Sequence, residues 1–291
     1  MIELAIVLAV IGLLMGSGLL AIAPILENAK RKATNERLNK IEDALVLFVI
    51  RNNRLPCPAN GSYASSNANY GLERYTSGTG VCTSASVSAA NAVVPWRTLG
   101  LDETLSLDGW GRRISYHVAD PTLLAAPAVG ARTTLDSLVA STCMYRESSA
   151  TSTSRNDTCD PPTTSIEPSY PYGNYIRVIN ASSVELTTDQ PAATITTSNV
   201  GQAGGRAAYV LVSHGKNGAG AYGPNGTGPI SGVPAAGTNE STNNKAANGE
   251  ALFVQNDTIN ITGTSYFDDV VRWKTPAAII SACGTSACGN P

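Results

Sequence analysis

Residues 1–26 read MIELAIVLAVIGLLMGSGLLAIAPIL and contain one charged side chain, that of Glu3. The next charge along the chain is Glu27. About 20 consecutive apolar residues suffice to cross a bilayer as a helix, so this run is long enough to do so. A carboxylate at the edge of such a run is costly in apolar surroundings and indicates a specific partner. We therefore expect Glu3 to have a functional role.

The apolar run passes into an amphipathic pattern at residues 30–53, KRKATNERLNKIEDALVLFVIRNN. Apolar residues recur there at spacings of three and four, which predicts one buried helical stripe. The predicted stripe consists of Leu38, Ile41, Leu45 and Phe48. Asn52, Asn53 and Pro56 then predict the end of the helix.

The pattern as a whole predicts one continuous helix from residue 1 to about 52, roughly 78 Å long at 1.5 Å per residue. We divide the chain into this helical part, 1–53, and a head, 54–291. Within the helix, residues 1–26 are apolar on all sides and residues 27–53 are amphipathic.

An ordinary membrane anchor is the simplest interpretation of the first segment. Lys30, Arg31 and Lys32 follow it directly, and this positive charge would place the rest of the chain inside the cell. Six cysteines favour disulfides and therefore an oxidising compartment. The two signals conflict, which weighs against a simple anchor.

The stretch IELAIVLAVIGLLMG resembles the N-terminal signature of type IV pilins and of the pseudopilins of type II secretion systems. Glu3, the apolar run and Gly12 occupy the matching places. The resemblance implies cleavage by a prepilin peptidase after a glycine, with glutamate at the fifth position of the mature chain. Glu3 is third here, so the mature chain is expected to begin two residues upstream of Met1; the alternative is that processing differs from the family's.

The resemblance implies that the N-terminal helix drives assembly into a filament. Glu3 would pair with the N-terminal amine of the neighbouring subunit, and Gly12 would permit close helix contact. The subunit is expected in the inner membrane before assembly and in an extracellular filament afterwards. Other pilins and an inner-membrane assembly machine are the implied partners. Pro24 predicts a kink or break near Leu20, with a non-helical stretch at residues 16–24 in the filament.

The sequence of the head, together with the long helix before it, predicts the α+β class. We expect the helix to pack on a small antiparallel sheet, as in the pilin fold. The strand candidates are residues 113–118, 175–179, 183–187, 207–212 and 251–254. Residues 175–179 and 183–187 predict a hairpin across Asn-Ala-Ser, and 133–140 predicts a short helix. Long loops are expected at 59–92, 141–172 and 214–249.

Five segments of the head, in this order, resemble the major pseudopilin of type II secretion. They are LPCPANG at 55–61, VVPWRTLGLDE at 93–103, a turn with Asp-Gly-Trp-Gly at 108–111, a loop with Ser-His-Gly-Lys-Asn-Gly at 213–218, and a tail with Asp268-Asp269 and Trp273. The resemblance implies that the segment from Asp268 to Trp273, which we call the acidic tail, returns across the 213–218 loop and holds calcium. Asp268, Asp269 and Asn217 would supply oxygen ligands. Alternatively, the aspartates accept hydrogen bonds from backbone amides of the loop.

The six cysteines predict three disulfides, with Cys57–Cys82, Cys143–Cys159 and Cys283–Cys288 expected because each closes a short loop. Zinc is the alternative. No Cys-x-x-Cys occurs, and His117 and His214 lie far from every cysteine in sequence.

Composition and motifs disfavour other function classes. A net charge of −2 with 14% charged residues gives no basic field for nucleic acid. Ser213 and His214 are adjacent, so on a strand they face opposite sides and do not pair as nucleophile and base. We expect a structural filament subunit without enzymatic activity. The alternative is a minor or tip pilin, or a secretion pseudopilin, with an adhesive or partner-binding head.

Overall fold

A computed structural model describes residues 2–52, 55–76, 81–82, 90–118, 176–184, 186–187, 207–244, 252–258, 266–275, 278–279 and 282. In the first part of the helix, side chains are described only at residues 3–4 and 6–7, and again from residue 24 onwards. The architecture is α+β, with one long helix and an antiparallel sheet of five strands.

Helix α1 spans Ile2–Asn52 and ends where the asparagines predicted. It runs unbroken through Pro24, so the break predicted near Leu20 is wrong for the chain on its own. A proline inside a helix removes a single backbone donor, and here the helix continues despite that loss. The non-helical stretch in an assembled filament stays a prediction.

The second half of α1 buries one stripe of side chains in the head. Leu38, Ile41, Leu45 and Val49 are at most 1% exposed, whereas Phe48 is only half-buried. Three of the four predicted positions are therefore confirmed. Val49 replaces Phe48 because a straight helix with 3.6 residues per turn carries the stripe to i+4 at this point.

The main sheet has the strand order β1-β4-β5-β7-β9, and all neighbouring strands are antiparallel. Its strands are β1 (Ala59–Asn60), β4 (Ala92–Val93), β5 (Ser115–Val118), β7 (Tyr209–Ser213) and β9 (Val270–Lys274). Strands β5 and β7 lie within the predicted segments or extend them by one residue. The tail segment that forms β9 was not predicted to be a strand.

The side chains of the α1 stripe belong to the same core as Tyr116 of β5, Leu211 of β7 and Val271 of β9. Arg272 on β9 also donates hydrogen bonds to Asn35 and Asn39 of α1, both at 3.1 Å. The helix is therefore fixed to the sheet by both apolar and polar contacts.

The smaller strands pair differently from the prediction. Strand β6 (Arg177–Ile179) pairs in parallel with β8 (Leu252–Val254), a pairing that was not predicted. The predicted hairpin return is present in the described residues, since Asn180 N–H donates to Val184 O at 2.9 Å and Leu186 N–H donates to Val178 O at 2.8 Å. The described residues within 183–187 do not themselves form a strand. Strand β6 therefore takes its strand partner from a segment distant in sequence.

The predicted loops contain more structure than expected. Strands β2 (Tyr75–Thr76) and β3 (Val81–Cys82) pair within 59–92, and helix α2 (Asn239–Asn243) lies within 214–249. The predicted disulfide Cys57–Cys82 is present. The helix predicted at 133–140, the loop at 141–172 and the other two predicted disulfides lie outside the described residues.

Within the described part of the chain, no helix is both long enough and apolar enough to cross a bilayer. The side chains of residues 8–23, on which the predicted span depends, lie outside that description.

Candidate functional site

The Asp-Gly-Trp-Gly turn at residues 108–111 is where the head meets the helix. Gly109 N–H donates to the Thr34 hydroxyl at 2.9 Å, and Arg37 donates to the carbonyl oxygen of Asp108 at 2.5 Å. A side chain at position 109 would collide with the carbonyl of Lys30, so only glycine fits against the helix here. The turn therefore positions the head on the helix.

The Asp108 carboxylate holds this turn together from inside. Its Oδ1 accepts hydrogen bonds from the backbone N–H groups of Trp110 and Arg112, both at 2.9 Å. Its Oδ2 accepts from the Ser213 hydroxyl at 2.7 Å. Burial raises the pKa of Asp108, and these hydrogen bonds oppose the rise. Asp108 thus links the turn to the start of the 213–218 loop.

The 213–218 loop lies between this turn and the acidic tail, as the head motifs implied. Arg112 donates to the carbonyl oxygens of Gly215 at 2.6 Å and Lys216 at 3.1 Å. Gly215 has φ +54°, and a Cβ there would collide with Asp268. Its lack of a side chain therefore lets the tail approach the loop backbone closely.

Three buried carboxylates meet at the tail. Oxygens of Glu240, Asp268 and Asp269 all lie within 4.8 Å of one another. We call these three residues the acidic cluster. Asp268 and Asp269 were predicted as calcium ligands, whereas Glu240 on α2 was not. A threonine N-cap, Thr238, starts α2 and was the only local signal for it.

Asn217, the third predicted ligand, contacts the acidic cluster through nitrogen. Its amide nitrogen lies 2.8 and 3.0 Å from the two Glu240 carboxylate oxygens, and its backbone N–H donates to Asp268 at 2.9 Å. Its side-chain oxygen accepts from Ala219 N–H at 2.9 Å instead. The predicted alternative, aspartates bonded to loop amides, is therefore present for Asp268.

Polar donors surround the cluster, but few positive charges do. The Tyr266 hydroxyl donates to Asp268 at 2.7 Å, and Asn243 donates to Asp269 at 2.8 Å. In the described part of the chain, the only basic side chain paired with the cluster is His214, whose Nδ1 lies 3.7 Å from Asp269 Oδ1. Three carboxylates this close require protons or a cation.

The cluster fits a calcium ion in two respects. Ligand oxygens lie about 2.3–2.6 Å from calcium, so two of them can be at most about 5 Å apart, as these are. Moreover, Asp268 Oδ1 is buried without a hydrogen-bond partner among the described residues. Calcium binding by Glu240, Asp268 and Asp269 stays a prediction.

We expect millimolar calcium to raise the melting temperature of the full chain and Asp268→Asn to remove that shift. The reason is that a ligand bound only by the folded state stabilises it by mass action. Thermal unfolding with calcium and with chelator measures the effect. Asp257→Asn, which changes an exposed aspartate, is the matched control and should respond as the wild type does. A wild type that does not respond to calcium would contradict the prediction.

Without a cation, we expect stability to fall as pH rises from about 4.5 to about 7. Burial raises the pKa of Glu240 from 4.5 to about 7, and the charges of Asp269 and Asp268 add to the rise, while Asn217 opposes it. The folded chain therefore binds more protons than the unfolded chain in this window, so raising the pH favours unfolding. Melting curves in chelator should show a smaller pH slope for Glu240→Gln than for the wild type. Equal slopes would contradict this assignment.

His214 also contacts Ser115 rather than its neighbour Ser213. Its Nε2 lies 3.1 Å from Ser115 Oγ, and with Asp269 the three side chains follow the order of a hydrolase triad. All three side chains are at most 5% exposed, so Ser115 Oγ is buried among the described residues of the head. This arrangement links β5 to the tail. The absence of enzymatic activity stays a prediction.

Comparisons with protein-family models, with curated proteins and with solved structures found no match.

Proposed function

We propose that this chain is a structural subunit that polymerises through its N-terminal helix into a helical surface filament of the type IV pilus kind. The contrast between the two ends of α1 carries the proposal. Residues such as Leu38 and Ile41 are buried in the head, whereas Leu4, Ile6 and Ile25 are 70, 57 and 67% exposed. Such exposed apolar side chains indicate a surface that is covered by another molecule.

Copies of the same helix supply that cover in a filament. A heterologous contact repeated between identical subunits produces an open helical assembly when it does not close into a ring. Before assembly, the inner membrane would cover the same residues. The Cys57–Cys82 disulfide agrees with a head that matures in an oxidising compartment. Prepilin peptidase, other pilins and an inner-membrane assembly machine are the partners this proposal requires.

The test is to shear surface filaments from producing cells and analyse them by negative-stain microscopy and quantitative mass spectrometry. We expect this chain to account for most of the filament mass. A few copies among a different major pilin would instead favour a minor or tip pilin. Recovery of the chain only as an unassembled subunit would contradict the proposal.

A further inference from the structure

A groove of about 820 Å³ lies between the helix and the tail. Its wall on α1 comes from residues 24–31, and its opposite wall comes from three separate head segments. The groove is lined, among others, by Pro24, Leu26, Lys30, Arg31, Lys216 and Tyr266. Its volume lies within the 300–1,000 Å³ that is typical of small-molecule sites.

Two lysines that line the groove have no carboxylate partner among the residues that the structure describes. Arg31 Nε lies 3.5 Å from Glu27 Oε1, and Arg31 also donates to the Thr258 hydroxyl at 2.6 Å. Arg31 and Glu27 therefore neutralise each other. Lys30 comes from the helix and Lys216 from the 213–218 loop, and neither pairs with a carboxylate in the described part of the chain. This excess of positive charge favours an anionic ligand.

The groove also has an apolar edge. Leu26 is 54% exposed, and next to it Ile25 is 67% exposed. On their N-terminal side is the uncharged run that begins after Glu3. Two ammonium groups that have no carboxylate partner among the described residues, beside exposed apolar side chains, fit an amphiphile, whose anionic head and apolar tail are joined. A free phosphate ion would use only the lysines.

We propose that this groove binds the phosphate of an anionic phospholipid headgroup, with Lys30 and Lys216 as its cationic contacts. The acyl chains would lie along the exposed side chains of Leu26 and Ile25. The proposal rests on the proposed function, in which the helix lies in the inner membrane before assembly. A bound lipid would hold the head at a fixed height on the bilayer until the subunit enters the filament.

The test titrates phosphatidylglycerol, and separately phosphatidylcholine, into the full chain in neutral detergent micelles. Melting temperature and native mass spectrometry report binding. We expect phosphatidylglycerol to raise the melting temperature and to stay bound, and phosphatidylcholine to do neither. Lys30→Gln and Lys216→Gln should each weaken binding about fivefold, since one basic residue contributes about that much near an anionic surface.

Lys32→Gln is the matched control. Lys32 is two residues from Lys30 on the same helix, is 81% exposed and lies outside the groove lining. Nonspecific attraction to anionic lipid would weaken equally in all three variants, whereas binding in the groove leaves Lys32→Gln like the wild type. Melting without lipid confirms that each variant is folded.

Four results would overturn the proposal. Two concern lipid: equal binding of the two lipids, or an equal loss of phosphatidylglycerol binding in all three variants. The third is that glycerol 3-phosphate, which has no acyl chains, stabilises the chain as much as phosphatidylglycerol does, and the fourth is self-association that needs Lys30 without any effect of lipid. The measurement uses unassembled chains, so it is independent of polymerisation. Filaments without lipid binding would overturn this inference alone. Lipid binding without filaments would overturn the proposed function alone.

Discussion

Replacing Glu3 by alanine is expected to abolish filament assembly while leaving a folded, membrane-inserted subunit. Glu3 is exposed, and no ion pair to it forms within the described part of the chain. In a core of bundled apolar helices, an unpaired carboxylate costs several kcal/mol. The pairing implied by the family resemblance, with the N-terminal amine of a neighbour, offsets that cost and fixes the axial position of each subunit.

Two further variants make this test specific. Glu3→Gln keeps the shape of the side chain but removes its charge, so it should also fail to assemble if the contact is an ion pair. Glu36→Ala is the matched control, because Glu36 is an exposed glutamate on the same helix whose only described partner is the exposed Lys32 at 4.0 Å. It should assemble normally. Filament yield is measured by microscopy of sheared fractions, and subunit folding by thermal unfolding. Normal filaments from Glu3→Ala would show that Glu3 is not an assembly residue.

The long helix could be predicted because its signals are local. Apolar spacing, stop residues and a uniform apolar start all lie within the segment they describe, and α1 ends at Asn52 as expected. The same information could not place Phe48 correctly, since Phe48 and Val49 differ by only one residue, about 100° around the helix. Pro24 was misread for a related reason. The local cost of a proline is known, but whether the flanking helix tolerates it depends on its surroundings.

Contacts between distant segments could not be predicted in the same way. A short turn sequence predicted the return of the next segment onto β6, which the hydrogen bond from Leu186 N–H to Val178 O confirms, but nothing local predicted the parallel pairing of β6 with β8. Glu240 lies in a polar loop with no periodic pattern, and only the fold of that loop brings it to Asp268 and Asp269. The position of those two aspartates against the 213–218 loop was expected because of the family resemblance, and not because any spacing in the sequence required it.

Asp108→Ala is expected to destabilise the head by about 3 kcal/mol or more. The substitution leaves two part-buried backbone N–H groups and the buried Ser213 hydroxyl without an acceptor. A fully buried unsatisfied donor costs about 1–3 kcal/mol, and a part-buried one costs less because water can reach it. The raised pKa of Asp108 indicates that burying its charge has a cost of its own, which reduces the net loss. Against a typical total stability of about 5–15 kcal/mol, the loss is large. Urea unfolding of the full chain in detergent measures it.

Asp102→Ala is the matched control for this prediction. Asp102 also accepts a hydrogen bond from a backbone N–H two residues ahead, that of Thr104 at 2.9 Å, but it does so at the surface. Water can replace its carboxylate there, so its removal should cost much less. Asp108→Ala should also weaken the packing of the head on α1, since residues of the turn form the hydrogen bonds to Thr34 and Arg37. Equal losses in the two variants would show that Asp108 acts only as a turn residue and does not join the head to α1.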